Sequence, residues 1–466
     1  MRRTLFYIPN EFFSLTESTG PLGVSIGWLL IAWMVFGVGL MIWLVRRQGW
    51  NSETASYIPV LLVVTVAIGW FLPMMQLQAA DDTILGLPIR GYGMMVMLGV
   101  VAGVSMAAYR ARKMGVDPEA IVSLAFWMFL IGIAGARLFY VIQNWPQFAK
   151  RPDHDHFDLW STIKAIASVT EGGLVVYGSL IGALVAAIVF LRRRKLPVLA
   201  IGDLIVPSLL IGLSLGRIGC LLNGCCYGGL CQAESSFPAI AFPRDASPAQ
   251  HKMLSEEARE NSPPYARQRQ SGLLHGIRIE ADANLKPIIA QIDSELLKKA
   301  QNNGKTLSQG DTITQINGAS VKTIDDVHSV FGGTLERPGI GPEITIETED
   351  GKVAHWTIGK LPDKSQPVHP GQIYSSINAG LLAFFFWIYY PFRRRDGEVI
   401  GLLLVIYPIT RFLLEVVRAD ELGRFGTSLT ISQLFSIAFV VIGIGLLLFI
   451  NRQPQGSALP SKPAIA

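Results

Sequence analysis

Charge is scarce in this sequence. Asp, Glu, Lys and Arg make up 16% of 466 residues while half are hydrophobic, and mean hydropathy is +0.38. That balance excludes a large soluble core and makes a lipid bilayer the main solvent of the chain. Histidine is scarce as well. All seven, at 154, 156, 251, 275, 328, 355 and 369, lie outside the long apolar runs, and no His-Glu-x-x-His occurs, which removes intramembrane metalloprotease chemistry. Ser179 likewise has no histidine within the membrane to activate it as a protease nucleophile. The four cysteines are confined to residues 220–231. No cleavable signal peptide is evident, because the first apolar run is too long and lacks a small-residue cleavage site.

What is present is a series of runs of about 20 apolar residues, each enough to cross roughly 30 Å of hydrocarbon. They fall at 24–45, 57–74, 91–109, 120–143, 173–191, 199–222, 372–391, 398–417 and 428–450. The expected fold is an α-helical polytopic membrane protein with about nine transmembrane helices. Orientation follows from basic residues in the short loops, which are retained on the cytoplasmic side. One side carries fourteen, among them Arg46, Arg47, Arg110, Arg112, Lys113, Arg192–Lys195 and Arg393–Arg395, against eight on the other. This predicts an N-out/C-in topology and accounts for the net charge of +5 without a nucleic-acid partner.

The segment 223–371 is rich in charge, Pro and Gln and too long for a structureless connection, so a domain is expected inserted between helices six and seven. Within it, Leu307 to Gly318 ends in an Asn-Gly turn, and an amphipathic stretch starts near Thr323. Glu343 to Thr348 alternates polar and apolar residues, Glu349-Asp350-Gly351 makes a turn, and Val353 to Ile358 returns. Residues 286–361 thus resemble a small α/β PDZ domain, carried by Gly310-Asp311-x-Ile313-x-x-Ile316-Asn317-Gly318. Such domains capture extended peptides by strand addition, so a bound peptide is an implied partner. The remaining expected boundaries are 1–80 for two additional N-terminal helices, and 81–231 with 362–450 for the two parts of the main membrane domain. Residues 232–285 read as an extracytoplasmic arm and 451–466 as a disordered cytoplasmic tail.

The topology sorts the polar residues inside spans by depth. Arg137, Arg217, Arg411 and Glu415 come late in outward-running helices, while Glu171 and Tyr92 stand near the outer ends of inward-running ones. Independent structural salt bridges need not choose one leaflet, so this convergence predicts a shared polar cavity. Arg411 and Glu415 are four apart and share a helix face. Guanidinium binds phosphate oxygens through a planar fork, and the anion available at headgroup depth is a phospholipid phosphate.

At this point the chain resembles the prolipoprotein diacylglyceryl transferase family from about Pro88 to Leu447, interrupted by the insert. The resemblance is carried by Arg90-Gly91-Tyr92-Gly93, Gly135-Ala136-Arg137, Gly172 to Gly178, Gly216-Arg217, His369-Pro370-Gly371-Gln372-Ile373-Tyr374 and Tyr407 to Arg418. It implies a bacterial cytoplasmic (inner) membrane enzyme that needs no cofactor or metal. Its partners would be phosphatidylglycerol and lipobox-containing preprolipoproteins, and it would form a thioether and release glycerol phosphate. On that basis Arg217 and Arg411 bind phosphate and stabilise the leaving group, and Glu415 orients Arg411. Tyr92, Arg137, Glu171, Asn223, Gly224, Gly228, His369 and Tyr374 are the expected substrate-binding positions.

The chain departs from the family pattern at three places. The signature Gly-Arg-x-Gly-Asn-x-x-Asn-Gly-Glu has Cys220 at its first Asn and Cys225 at its Glu, and the usual His-Gly-Gly reads Tyr177-Gly178-Ser179. A thiol attacks as thiolate, so the missing histidine leaves the base open. Tyr177 substitutes, Glu171 or Glu415 assists, or activation occurs at the substrate. Cys220, Cys225, Cys226 and Cys231 are expected to form one or two disulfides, with metal binding less favoured because the spacing matches no usual zinc site. The rival readings are a relative that lost catalysis and binds lipid or lipoprotein, and a transporter, for which clear inverted repeats are missing.

Overall fold

The computed structural model describes residues 4–8, 13–14, 25–26, 28–51, 57–66, 68–69, 77–78, 84–145, 175–231, 238–245, 261–282, 285–293, 301–302, 305–332, 343–357, 361–416 and 429–459. It is mostly helical, with small sheets. The N-terminal part holds strands β1 (Thr4–Ile8), β2 (Phe13–Ser14) and β3 (Ser25–Ile26), helices α1 (Trp28–Gln48) and α2 (Tyr57–Val66), and strands β4 (Leu77–Gln78) and β5 (Ile84–Arg90). Helices α3 (Gly91–Lys113), α4 (Pro118–Gln143), α5 (Val176–Arg193) and α6 (Val198–Asn223) follow.

The insert contains helix α7 (Pro263–Gln270), strands β6 (Ile277–Ala281), β7 (Pro287–Ile292), β8 (Gln301–Asn302), β9 (Ile313–Ile316) and β10 (Ala319–Ser320), helix α8 (Ile324–Gly332), and strands β11 (Glu343–Thr348) and β12 (Val353–Thr357). Helices α9 (Gly371–Tyr389), α10 (Glu398–Val416) and α11 (Ile431–Asn451) complete the chain. Among the described residues, eight helices are long and apolar enough to cross a membrane: α1, α3 to α6, and α9 to α11. They coincide with eight of the nine expected spans. At the remaining one, 57–74, α2 is ten residues long, residues 68–69 add a short π segment, and 67 and 70–74 lie outside the described residues.

The chain divides into two compact units, residues 1–95 with 218–372 and residues 96–217 with 373–466, so α3, α6 and α9 contribute residues to both. In the first unit β1 pairs antiparallel with β5, Thr4 opposite Arg90 and Ile8 opposite Leu87, in a sheet of order β1-β5-β4. The expected 1–80 addition is therefore tied by its first strand to the segment that leads into α3. Trp33 on α1 donates from Nε1 to Thr65 Oγ1 on α2 at 3.2 Å.

The insert has its own core. Strands β10-β9-β11-β12-β8 make one sheet and β6-β7 a hairpin, around Ile277, Ile279, Ile289, Ile313, Ile316, Val327, Phe331, Ile344 and Ile346. Asn317 and Gly318 both have positive φ, 50° and 77°, the primed turn whose twist matches a two-residue hairpin, as Asn-Gly predicts. Helix α8 begins with a reciprocal cap. The Asp326 N–H donates to Thr323 Oγ1 at 3.3 Å while the Thr323 N–H donates to Asp326 Oδ2 at 2.9 Å.

The expected arm over 232–285 is corrected in part. Residues 261–281 are folded into the insert: Ile277 and Ile279 are core residues, Trp356 Nε1 donates to the His275 carbonyl at 3.1 Å, and the His275 ring lies 4.9 Å from that of Phe331. Polar, Pro-containing composition suggested a linker because α7 packs only Pro264, Tyr265 and Gln268 inward. Antiparallel bridges Ile240 with Val368 and Pro243 with Lys364 bring the two ends of the insert together.

In the second unit the core comprises Leu124, Ile201, Leu204, Leu210, Phe386 and Val399, among others. Helices meet over small residues, which let backbones approach closely. A Cβ on Gly99 would lie 2.9 Å from the Gly212 carbonyl oxygen, and one on Gly135 would lie 2.5 Å from that of Gly178. At the α9–α10 turn, Asp203 accepts from the Gly397 N–H at 2.7 Å and the Ile400 N–H at 2.9 Å. Arg110 and Arg393, expected as topological markers, are also packed. Arg110 donates to the Leu204 carbonyl at 2.7 Å, and both guanidiniums sit over the Tyr390 ring, at 4.3 and 3.8 Å.

The disordered tail expected over 451–466 is corrected for 451–459. Arg393 Nη2 donates to Ser457 Oγ at 2.9 Å and to the Leu459 carbonyl at 3.0 Å, the Ala458 N–H donates to Asp396 at 2.8 Å, and Leu459 joins the core. Low-complexity composition concealed a segment whose backbone satisfies buried charge; residues 460–466 lie outside the described residues.

Candidate functional site

Within the second unit, α10 carries a strongly desolvated ion pair. Arg411 and Glu415, one helical turn apart, form a salt bridge, and Glu415 is 2% exposed. Removing a carboxylate from water is costly unless a cation stands beside it. The sequence explains the placement, because an i, i+4 spacing keeps both groups on one face whatever the neighbours do.

A set of neutral hydrogen bonds fixes the helices that carry the arginines. Ser214 on α6 donates to the Ser376 carbonyl on α9 at 2.9 Å, and Ser376 Oγ returns a bond to the Ser214 carbonyl at 3.0 Å. Asn378 Nδ2 on α9 donates to Thr410 Oγ1 on α10 at 3.0 Å. These bonds stand one turn before Arg217 and directly beside Arg411. Both helices also contain a proline, Pro207 and Pro408, tolerated in a membrane span where neighbours satisfy the freed carbonyls.

Arg137 is buried near the end of α4, its guanidinium 5.4 Å from the centroid of Tyr140. The Val175 N–H donates to the Ala136 carbonyl at 3.2 Å, which joins the last turns of α4 to the N-cap residue of α5. There Tyr177 stacks on Phe435 of α11 at 4.2 Å between ring centroids. Helix α11 opens with a full capping box, Thr430 accepting from the Gln433 N–H at 3.2 Å and Gln433 from the Thr430 N–H at 3.0 Å. Glu171, an expected member of the site, lies outside the described residues.

Within the first unit, α6 ends in a Schellman motif. The Cys225 N–H donates back to the Cys220 carbonyl at 3.1 Å and the Gly224 N–H to Leu221 at 3.2 Å, with Gly224 at φ 74°. A glycine is required there because a left-handed residue closes the helix. The chain then pairs with the segment leading into α9. The Gly228 N–H donates to the His369 carbonyl at 2.7 Å and the His369 N–H to Gly229 at 3.0 Å. Gln372 Nε2 donates to the Cys225 carbonyl at 2.7 Å. Asn223, Gly224, Gly228 and His369 are thus brought onto one looped structure, and Tyr374 follows in the first turn of α9. Tyr92 at the start of α3 meets Gly219, where a Cβ would lie 3.3 Å from its ring. The expected disulfides are not formed: no disulfide joins Cys220, Cys225, Cys226 and Cys231, each of which is half-buried.

Sequence reasoning named Gln372 only as a carrier of the resemblance and passed over Ser214, Ser376, Asn378, Thr410 and Gln433. One signal was available, the Thr-x-x-Gln spacing of Thr430 and Gln433 ahead of an apolar run. The serines and asparagine carry no charge, so a search for ionisable groups passes over them.

Comparison with known proteins gives a consistent result. The family described as "Prolipoprotein diacylglyceryl transferase" matches residues 83–449. A protein of Rhodopirellula baltica named phosphatidylglycerol--prolipoprotein diacylglyceryl transferase is 32% identical over 500 aligned positions, covering 99% of this chain and 92% of that protein. Proteins of the same name from Synechococcus elongatus and Shouchella clausii are 36% and 37% identical over 30% and 29% of this chain, covering 45% and 46% of their own lengths.

Proposed function

The chain belongs to the prolipoprotein diacylglyceryl transferase family, and we propose that it transfers the diacylglyceryl group of phosphatidylglycerol to the lipobox cysteine of a prolipoprotein. In that reaction the lipobox sulfur bonds to the glyceryl carbon, the carbon–oxygen bond to phosphate breaks, and glycerol phosphate leaves with the negative charge. The thiol proton passes to a base. The match extending across both sides of the insert carries this reading, since the residues on either side include both arginines assigned to phosphate.

Arg217 and Arg411 bind the phosphate and stabilise the leaving group, an electrostatic contribution that is strongest where water is excluded. Glu415 orients Arg411 through their salt bridge. Arg137, Glu171 and Tyr374 contribute to lipid binding, and Tyr92, Asn223, Gly224, Gly228 and His369 to positioning substrate. Tyr177 stands at the position of the family's missing histidine, and its stacking on Phe435 supports a fixed orientation for its hydroxyl. The protein lies in the bacterial inner membrane with its N-terminus and insert on the extracytoplasmic side, a reading supported by the basic loops.

The insert is a PDZ-like reader that collects the preprotein. One feature supports this: a cavity of about 430 Å³ opens beside β6, lined by Leu273, His275, Arg278, Gln291 and Asp293.

The test supplies purified protein with phosphatidylglycerol labelled in its diacylglyceryl part and a lipobox peptide, and seeks the thioether adduct by mass spectrometry. The expected adduct appears, falls at least about 100-fold in Arg217→Lys because a point charge replaces a fork, and is lost in Arg217→Ala. Lipid binding without any adduct would overturn the transferase reading in favour of a receptor that has lost catalysis.

A further inference from the structure

The sulfur atoms of Cys220, Cys225 and Cys226 all lie within 4.8 Å of one another. The backbone accounts for this. The Schellman motif folds the second residue past the helix end back against the third residue from it, which sets Cys225 beside Cys220. Cys226 then adopts φ 60°, a left-handed conformation that costs a non-glycine residue about 1 kcal/mol. The turn is held from outside. Gln372 bonds to the Cys225 carbonyl at 2.7 Å, and a Cβ on Gly371 would stand 3.3 Å from the Cys226 carbonyl oxygen.

We propose that Cys220, Cys225 and Cys226 form a three-thiolate site for a soft divalent cation, with zinc as the expected occupant. Tetrahedral zinc at about 2.3 Å from each sulfur requires sulfur–sulfur separations of about 3.8 Å. The observed limit of 4.8 Å lies about 1 Å above that value. Loading forms three zinc–sulfur bonds and releases three protons to solvent. A locally strained residue inside a thiol cluster is the kind of outlier a ligand site retains.

Cys231 is not among the converging thiols. The site would brace the end of α6, three residues beyond Arg217, in the role a structural metal plays. It is not routed into the transfer reaction.

The full-length protein, purified in detergent under reducing, anaerobic conditions, is equilibrated with zinc chloride, desalted and analysed for metal. About one zinc per chain is expected, and zinc should protect Cys220, Cys225 and Cys226 from iodoacetamide while Cys231 remains reactive. Cys231→Ala should keep the zinc and Cys225→Ala should lose it. The alkylation pattern of the unmutated protein decides the matter if Cys225→Ala fails to fold. Less than about a tenth of a zinc per chain, equal alkylation with and without zinc, or a disulfide among the three in protein taken directly from cells would each overturn the proposal.

Discussion

Leu285 is the only exposed large hydrophobic residue among the described residues of 261–361, whereas α5 alone exposes Val176, Leu180, Ile181, Leu184, Val185 and Val189. The difference is one of solvent. The insert faces water and must bury its isoleucines around a centre, so its stability comes from removing apolar area from contact with water. The helices face hydrocarbon, where a leucine gains little by turning inward, so they associate through close backbone approach and polar bonds instead. The same side chain therefore carries different information in the two regions. A buried Ile in the insert reports a core, while the half-buried Ser214 in α6 reports an interhelical bond.

If this contrast is right, the largest single loss should come from a charged group in the membrane region. Glu415→Leu leaves Arg411 unpaired and should destabilise the protein by about 3–5 kcal/mol, read as a lowered Tm in detergent. Adding Arg411→Met should restore most of the Tm while leaving no transfer activity; recovery of activity with stability would remove Arg411 from the site. Next in size is the apolar core of the insert. Phe331→Ala should cost about 3 kcal/mol, with hydrogen exchange accelerated in β6, β9 and β11 and unchanged in α4 and α5. Equal acceleration in the helices would mean that the two regions do not unfold separately.

A smaller effect is set by pH. His275 is fully buried with neither ring nitrogen hydrogen-bonded, and burial, aided by Arg269, lowers its pKa from the usual 6.5 to about 4. The unfolded chain then binds the extra proton first, so stability is fully present above pH 6.5 and declines as pH falls toward 4. Between pH 7 and 5 the insert should lose on the order of 1–2 kcal/mol, measured by hydrogen exchange, and His275→Gln should flatten the profile. Smallest is the cap of α8: Asp326→Ala should cost about 1 kcal/mol, visible as fraying of residues 324–327 and nowhere else.

The parts of this molecule legible in its sequence were those governed by one strong local rule. Long apolar runs gave eight of the helices, the Asn317-Gly318 pair gave a hairpin, and the spacing of Arg411 and Glu415 gave an ion pair. Features that depend on distant partners were not legible. Residues 261–281 are polar and proline-bearing, and their place in the insert core appears only once Ile277 and Ile279 meet Ile289 and Phe331. Arg393 looked like a topological marker because nothing in its neighbourhood announces Ser457 and Leu459, which bind it from more than sixty residues away. The thiol cluster was hidden for another reason. Its spacing fits no catalogued ligand pattern, and only the helix-terminating turn brings the sulfurs together.

The salt bridge between Arg411 and Glu415 also bears on how α10 is made. Arg110 and Arg393 must wait for contacts with residues far along the chain before their charge is satisfied. Arg411 and Glu415 are complete as soon as a single turn of helix has formed, so this segment can leave the translocation channel as a near-neutral rod. A pair proposed to meet an anionic headgroup would thereby first serve as the helix's permit to cross into lipid.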